Sequence, residues 1–316
     1  GSSAAVIVTA NKFILITDSR YTTQAKAETN ASNPEIIIHK QPILQEMKSV
    51  LTKLESKIIG YEADHLLVNQ LFVLEDTKYQ LKPLQSFIEE IRYIKEDEEL
   101  TIMKQAAKIG EEVLTDALSF VKAGMTEVEL AIRMESTMRK LGASGPSFDT
   151  IIASGIRGAL PHGAASEKVI NDGELVTIDF GVIYHGYCSD MTRTFAVGTP
   201  KSEELVRVYN IVLEANLKGI EAIKAGRTGL EIDLAAREVI ANEGYGELFG
   251  HSTGHAVGIE VHELPSISAT SKMVVTPNMV ITIEPGIYIE NLGGVRIEDT
   301  LAVTEVGSDN FMTLPK

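Results

Sequence analysis

Apolar and polar side chains alternate from Leu175 to Val182 and again from Cys188 to Phe195, with β-branched residues throughout. This pattern predicts two strands, joined by a turn at Tyr184-His185-Gly186. A second alternating pair, Val280–Glu290 and Val295–Thr300, flanks the loop Asn291-Leu292-Gly293-Gly294. Elsewhere the apolar period is helical. Leu100, Met103, Ala106, Ala107 and Gly110 fall on one face of a helix over 96–121, and further helices are predicted over 126–141, 202–224 and 228–242. Gly124 and the turn Ala225–Gly229 separate the members of each pair. Thr126-Glu127-Val128-Glu129 has the form of a capping box, loosely echoed by Thr228-Gly229-Leu230-Glu231. Helix–helix–strands, twice, predicts two related α/β halves with a site between them.

The first 90 residues read differently. Short strands at 6–9, 13–17, 35–38 and 57–60, with helices near 42–54, 63–74 and 84–90, predict a small α/β domain ahead of a larger one at 91–316. Residues Gly1 to Ala5 are either a tag remnant or a loop entering the first strand. The charged run Arg92–Glu99 is read as a solvated first helical turn at the junction.

Composition narrows the functional classes. Hydrophobic content of 44% and charged content of 23% suit a soluble globular protein. No apolar run approaches the ~20 residues of a membrane span, and nothing resembles a signal peptide. A net charge of −15 argues against a nucleic-acid surface and is compatible with a site that collects cations. Cys188 is the single cysteine, which excludes an internal disulfide and suits a reducing, cytoplasmic setting. It is read as a small buried hydrophobe, His185 as a turn residue, and His39 and His65 as surface residues.

The chemistry lies in the hairpins. A fold about the Tyr184–His185 bond would set Asp179 directly opposite Asp190, where cross-strand Cβ atoms are about 4.5–5.5 Å apart and like charges repel. Either one acid is protonated or a cation lies between them. A turn near Asn291 likewise brings Glu284 opposite Glu298, with Arg296 on the face of Glu298 and Asp299 on the other. Arg296 alone could neutralise that second pair, but could not also account for the first. His251, His255 and His262 cluster among glycines and acids, in a segment too rich in small residues for a helix. Four carboxylates and an imidazole make a hard donor set that suits manganese, or cobalt or zinc. The charge is enough for two divalent ions, which roughly 3.5–4 Å apart activate water and polarise a carbonyl.

These residues carry a resemblance. From about 96 to 316 the chain resembles the pita-bread metallopeptidases: methionine aminopeptidase, aminopeptidase P and prolidase. Asp179 stands in Thr-Ile-Asp-Phe-Gly, Asp190 in Ser-Asp-Met-Thr-Arg-Thr, and His255 in Ser-Thr-Gly-His. Glu284 stands in Glu-Pro-Gly and Glu298 in Arg-Ile-Glu-Asp. The resemblance implies that Asp190 and Glu298 span two metal ions, with Asp179 on one and His255 and Glu284 on the other. Glu284 would also take the proton from the attacking water.

The Gly-Val-Arg-Ile-Glu-Asp ending and His262 resemble the proline-directed branch. That implies His162, in Pro161-His162-Gly163, and His262 near the scissile peptide, with His251, His262 and Arg296 lining the proline side. Tyr288 is expected as a supporting hydroxyl. More weakly, Asp18–Ala25 resembles the amino-terminal domain of aminopeptidase P and prolidase, in an apparently shortened form. This implies a homodimer; Asp18 and Arg20 are read as an interdomain ion pair.

The expected reaction is hydrolysis of the bond before a proline at the second position of a peptide. Because no long insertion closes the far side of the pocket, an aminopeptidase is favoured over a strict Xaa-Pro dipeptidase. A creatinase-like amidinohydrolase works without metals, and methionine aminopeptidase normally lacks the first domain. The alternative of another class is a non-catalytic peptide-binding module on the same fold.

Overall fold

Two helix pairs, started by the same device, frame the larger part of the chain. Thr126 and Thr228 each accept the backbone N–H of the residue three further on, Glu129 and Glu231, at 3.2 Å. Those glutamates accept the threonine N–H groups in return, at 2.8 and 2.7 Å, so each helix begins with reciprocally satisfied donors. The four helices are Asp97–Phe120, Glu127–Lys140, Glu203–Ala222 and Gly229–Asn242. All four match the predicted spans to within two residues at either end.

The computed structural model describes residues 3–54, 56–75 and 78–316. Gly1 and Ser2, part of the undecided first segment, lie outside the described residues; Ala4 and Ala5 open a strand. The chain divides into two compact units, Gly1–Ile88 and Glu89–Lys316.

In the first unit, Ala4–Val8 pairs antiparallel with Phe13–Thr17, which pairs in parallel with Glu35–Ile38. Ile14, Ile16 and Val50 are its buried centre, Val50 coming from the helix Ile43–Leu51. The helix Thr22–Glu28 and the strand Gln80–Leu84 were not anticipated. Asp18 and Arg20, expected to pair across the domains, make a local fork with each other: Arg20 Nε and Nη2 donate to Asp18 at 2.9 and 2.7 Å.

In the second unit, one half carries the sheet Met191–Ala196, Leu175–Phe180, Ile151–Ser154, and the other a five-stranded sheet centred on Val280–Ile283. Phe180, Ile178, Met103 and Leu130 are fully buried in the first half, and Ile281, Ile283 and Ile232 in the second. The sheets meet at a bridge between Thr192 and Glu298. Among the described residues no helix is long and apolar enough to cross a membrane.

The charged junction is not simply solvated. Asp97 and Glu98 are exposed, but Lys95 is 2% exposed, its ammonium donating to Glu263 at 3.0 Å, and Arg92 donates to both Glu263 and Glu260. A run of mixed charge looks solvated in sequence because its partners lie some 170 positions away.

Candidate metal centre

The first hairpin turns one residue later than the pattern predicts. His185 and Gly186 adopt φ of 47° and 85°, the left-handed pair that a two-residue turn needs to match strand twist. Tyr184 therefore pairs with Tyr187, and the register carries Asp179 opposite Thr192 rather than Asp190. The expectation of direct opposition fails by two positions. Because the strand period is two, Asp190 stays on the face of Asp179 as its diagonal neighbour. Gly181 lets the strands close here, since a Cβ would lie 1.8 Å from the Ser189 carbonyl oxygen.

The second hairpin has the predicted register. Ile283 pairs with Asp299 and Gly286 with Arg296, which puts Glu284 across from Glu298 at an interruption made by Pro285. His255 arrives on a third strand, Gly254–Ala256. The preceding glycine is required, because a Cβ on Gly254 would stand 2.0 Å from the Thr282 carbonyl oxygen. His255 N–H donates to Thr282 Oγ1, fixing the ring's root.

The side chains converge. His255 Nε2 lies 3.3 Å from Glu284 Oε1 and 3.6 Å from Asp190 Oδ2. Asp190, His255 and Glu298 each offer a donor atom within 4.8 Å of the others. His255 Nδ1 sits 3.1 Å from the Ala256 carbonyl oxygen, which can only accept, so Nδ1 carries the proton. Burial lowers the ring's pKa to about 4, leaving it neutral with the Nε2 lone pair aimed at two carboxylates. A lone pair facing anions calls for a cation between them.

The carboxylates agree. Burial first, then Glu298, Asp179 and Glu284, drive Asp190 well above the usual carboxylate range. Burial, then Glu284 and Asp179, raise Glu298, and burial pushes Glu284 up to about 8. Three oxygens, Asp179 Oδ1, Asp190 Oδ1 and Glu298 Oε1, are buried without a hydrogen-bond partner among the described residues. Such oxygens are costly unless an ion satisfies them. The set fits divalent cations held by oxygen and one imidazole.

The charge of Arg296 pulls Glu284 and Glu298 back toward the ordinary range without overcoming their burial, and its ion pair is made elsewhere. Its Nη2 donates to Asp179 Oδ2 at 2.5 Å, on the other hairpin, and its Nη1 donates to the Tyr288 hydroxyl at 2.9 Å. That hydroxyl lies 2.8 Å from His251 Nε2, while His251 Nδ1 faces the Ser252 carbonyl oxygen. Nδ1 therefore bears the proton and Nε2 accepts from Tyr288. Burial lowers His251 to about 4 and raises Tyr288 to about 12, consistent with a neutral relay. The ring of His262 meets that of His255 edge-on at 4.5 Å and is exposed. His162 is exposed in the loop after the turn Gly155–Ala159, and among the described residues no hydrogen bond or ion pair joins it to the acids.

Sequence reasoning missed the groups that hold these residues. Thr192 Oγ1 donates to Glu298 Oε2 at 2.7 Å, and Thr300 Oγ1 to the Asp190 carbonyl oxygen at 2.7 Å. Arg237 forks onto Asp233 and donates to the carbonyl oxygens of Phe249 and His251 at 3.0 and 2.8 Å. Asp233 accepts from Thr253, whose carbonyl receives the Glu284 N–H at 2.7 Å. The i,i+4 spacing of Asp233 and Arg237 was a visible signal; their targets were not. Cys188 is buried, with its thiol pushed up to about 11 by desolvation.

Comparison with known proteins places the chain in a family. Residues 101–305 match Metallopeptidase family M24, and residues 1–94 match the Creatinase/Prolidase N-terminal domain. An Xaa-Pro dipeptidase from Pyrococcus horikoshii is 42% identical over 302 residues, covering 95% of this chain and 86% of that protein. The structure of an Xaa-Pro dipeptidase from Bacillus anthracis is similar with a TM-score of 0.95 at 45% identity, covering 100% of this chain and 88% of that one. An X-Pro aminopeptidase from Thermotoga maritima gives 0.92 at 41% identity, covering 100% and 89%.

Proposed function

The chain belongs to metallopeptidase family M24, with the pita-bread fold, and we propose that within it this protein is an Xaa-Pro dipeptidase (prolidase). The observation that carries the reading is the cluster of Asp190, His255 and Glu298, joined by Glu284 through His255, with its orphaned oxygens, beside the Arg296–Tyr288–His251 relay. Asp179, Asp190, His255, Glu284 and Glu298 would hold two divalent ions, with manganese favoured over cobalt or zinc by the oxygen-rich set. When bound, the ions supply Lewis acidity toward the scissile carbonyl and acidify water.

The chain's own residues do the rest. Glu284 is assigned the proton of the attacking water, and a base is effective when its pKa lies near the working pH. His262, beside His255, and His162, on its exposed loop, are assigned to the scissile peptide and the charge that develops on it. His251 and Arg296 line the proline side, held at fixed angle by Tyr288 and Asp179.

The sequence alone favoured an aminopeptidase from the lack of a long insertion; the relatives give more support to the alternative, the dipeptidase. This chain is similar to proteins named for dipeptide cleavage over most of their length, spanning 86% of the Pyrococcus horikoshii dipeptidase and 88% of the Bacillus anthracis one. The Bacillus anthracis dipeptidase also exceeds the named aminopeptidase in identity and in TM-score. A cytoplasmic homodimer belongs to the same reading and rests on family resemblance; light scattering tests the dimer.

Initial rates on an Xaa-Pro dipeptide and on the matching Xaa-Pro-Pro tripeptide, with manganese, decide the substrate. Turnover of the dipeptide with little on the tripeptide is expected. Preference for the tripeptide would return the aminopeptidase. Fewer than one bound ion per chain, with neither peptide cleaved, would favour the binding module.

A further inference from the structure

Asn216 is fully buried on the helix Glu203–Ala222, in a protein whose buried polar groups otherwise belong largely to ion pairs, threonines or the acidic cluster. Its side-chain amide donates to two carbonyl oxygens, that of Ile283 at 2.8 Å and that of Ile297 at 3.2 Å. Ile283 immediately precedes Glu284, and Ile297 immediately precedes Glu298. One amide therefore spans the two backbones that present the facing carboxylates.

The reason a side chain is needed lies in Pro285. The ladder is regular at Ile283–Asp299 and resumes at Gly286–Arg296. Between them, Ile297 N–H donates to the Pro285 carbonyl oxygen at 3.4 Å. In an antiparallel pair the partner would return that bond, but proline has no N–H to give. The Ile297 carbonyl would stay buried and unpaired without Asn216. The other end of the amide is also fixed, since Oδ1 accepts from Lys316 Nζ at 2.5 Å.

We infer that Asn216 is the positioning residue that sets the spacing of Glu284 and Glu298, standing in for the missing rung, and that it thereby tunes affinity for divalent ions. It touches neither carboxylate; it acts through the two carbonyl groups beside them. The inference rests on the acidic cluster being a cation site, so its test must separate the two claims.

Calorimetric titration of chelator-stripped protein with manganese chloride does so, comparing wild type, Asn216→Asp, Asn216→Ser and Thr228→Ala. Asn216→Asp keeps the shape and turns the donor into an acceptor facing two carbonyl oxygens. Its manganese Kd should rise by ~10-fold or more, the scale at which groups supporting metal ligands act. Asn216→Ser retains one short donor and should fall between; it reads the same quantity if the aspartate variant does not fold. Thr228→Ala removes a distant helix cap and should keep the wild-type Kd despite a lowered melting temperature, which separates positioning from general destabilisation. Wild-type Kd values in the Asn216 variants would overturn the inference and leave the metal reading standing. Failure of the wild type to bind manganese would overturn both.

Discussion

Arg296 and Asp179 face each other across two different hairpins, with Nη2 donating to Oδ2 at 2.5 Å while Oδ1 of the same carboxylate has no partner among the described residues. One side of Asp179 is thus neutralised and oriented, and the other is held open toward the acidic cluster. The guanidinium is 3% exposed and also donates to Tyr288. A lysine cannot reproduce this, because the site uses the planar fork.

Arg296→Met should therefore remove more than charge. Taking one partner from a buried pair costs about 3–5 kcal/mol, because the other charge stays buried. Urea unfolding of the metal-free variant should show a loss in that range, and His251 should lose its orientation with Tyr288. A loss below about 1 kcal/mol would mean that Asp179 is carried by something other than this pair.

The metal-free protein should weaken as pH rises from about 6.5 to 8. Burial raises the pKa of Glu284 to about 8 and those of Asp190 and Glu298 well above normal, so the folded state binds more protons than the unfolded state in this window. Stability then falls with rising pH. His251 and His255, lowered to about 4, act with opposite sign, but only between about 4 and 6.5. Melting temperatures in chelator should decline across pH 6.5–8, and divalent ions should flatten the slope. A rising slope in chelator contradicts the burial of these acids.

The sequence showed most of the periodic structure and the outline of the centre. Helix boundaries were legible because capping boxes and glycines mark them locally, and the Glu284/Glu298 register because its loop is symmetric about Asn291. The Asp179/Asp190 register was misread because the decisive fact is conformational. His185 accepts a left-handed φ, and no alternation of side chains reports that. Supporting contacts such as Asp233–Thr253 and Asn216–Ile297 join segments 20 to 81 positions apart, and only the folded chain pairs them.

Glu284→Gln should separate stability from turnover. The substitution keeps shape and removes both the proposed base and a charge whose desolvation outweighs the help it receives from Arg296 and Thr282 in the metal-free cluster. Loss of a general base costs about 10²–10⁴ in rate, and loss of a ligand adds to it, so kcat should fall by at least ~10³. At pH 8 or above the metal-free variant should melt at a higher temperature than wild type, since an unfavourable ionisation is gone. Turnover within tenfold of wild type would remove Glu284 from the base role.

The junction makes a prediction by its asymmetry. Glu263 is held by two cations, Lys95 at 3.0 Å and Arg92, in the segment that carries His262. Burial lowers the pKa of Lys95, and Glu263 is the first of the charges that hold it up. Lys95→Met leaves Glu263 paired with Arg92, so its cost should fall below the ~3–5 kcal/mol expected for a stranded buried charge. Glu263→Gln strands Lys95, 2% exposed, and should cost more. It should also loosen His262 and raise KM for the dipeptide more than it lowers kcat. Chemical denaturation and steady-state kinetics on both variants test the order. If Lys95→Met proves the more damaging, the lysine is supported by contacts other than this carboxylate, and His262 is not positioned through it.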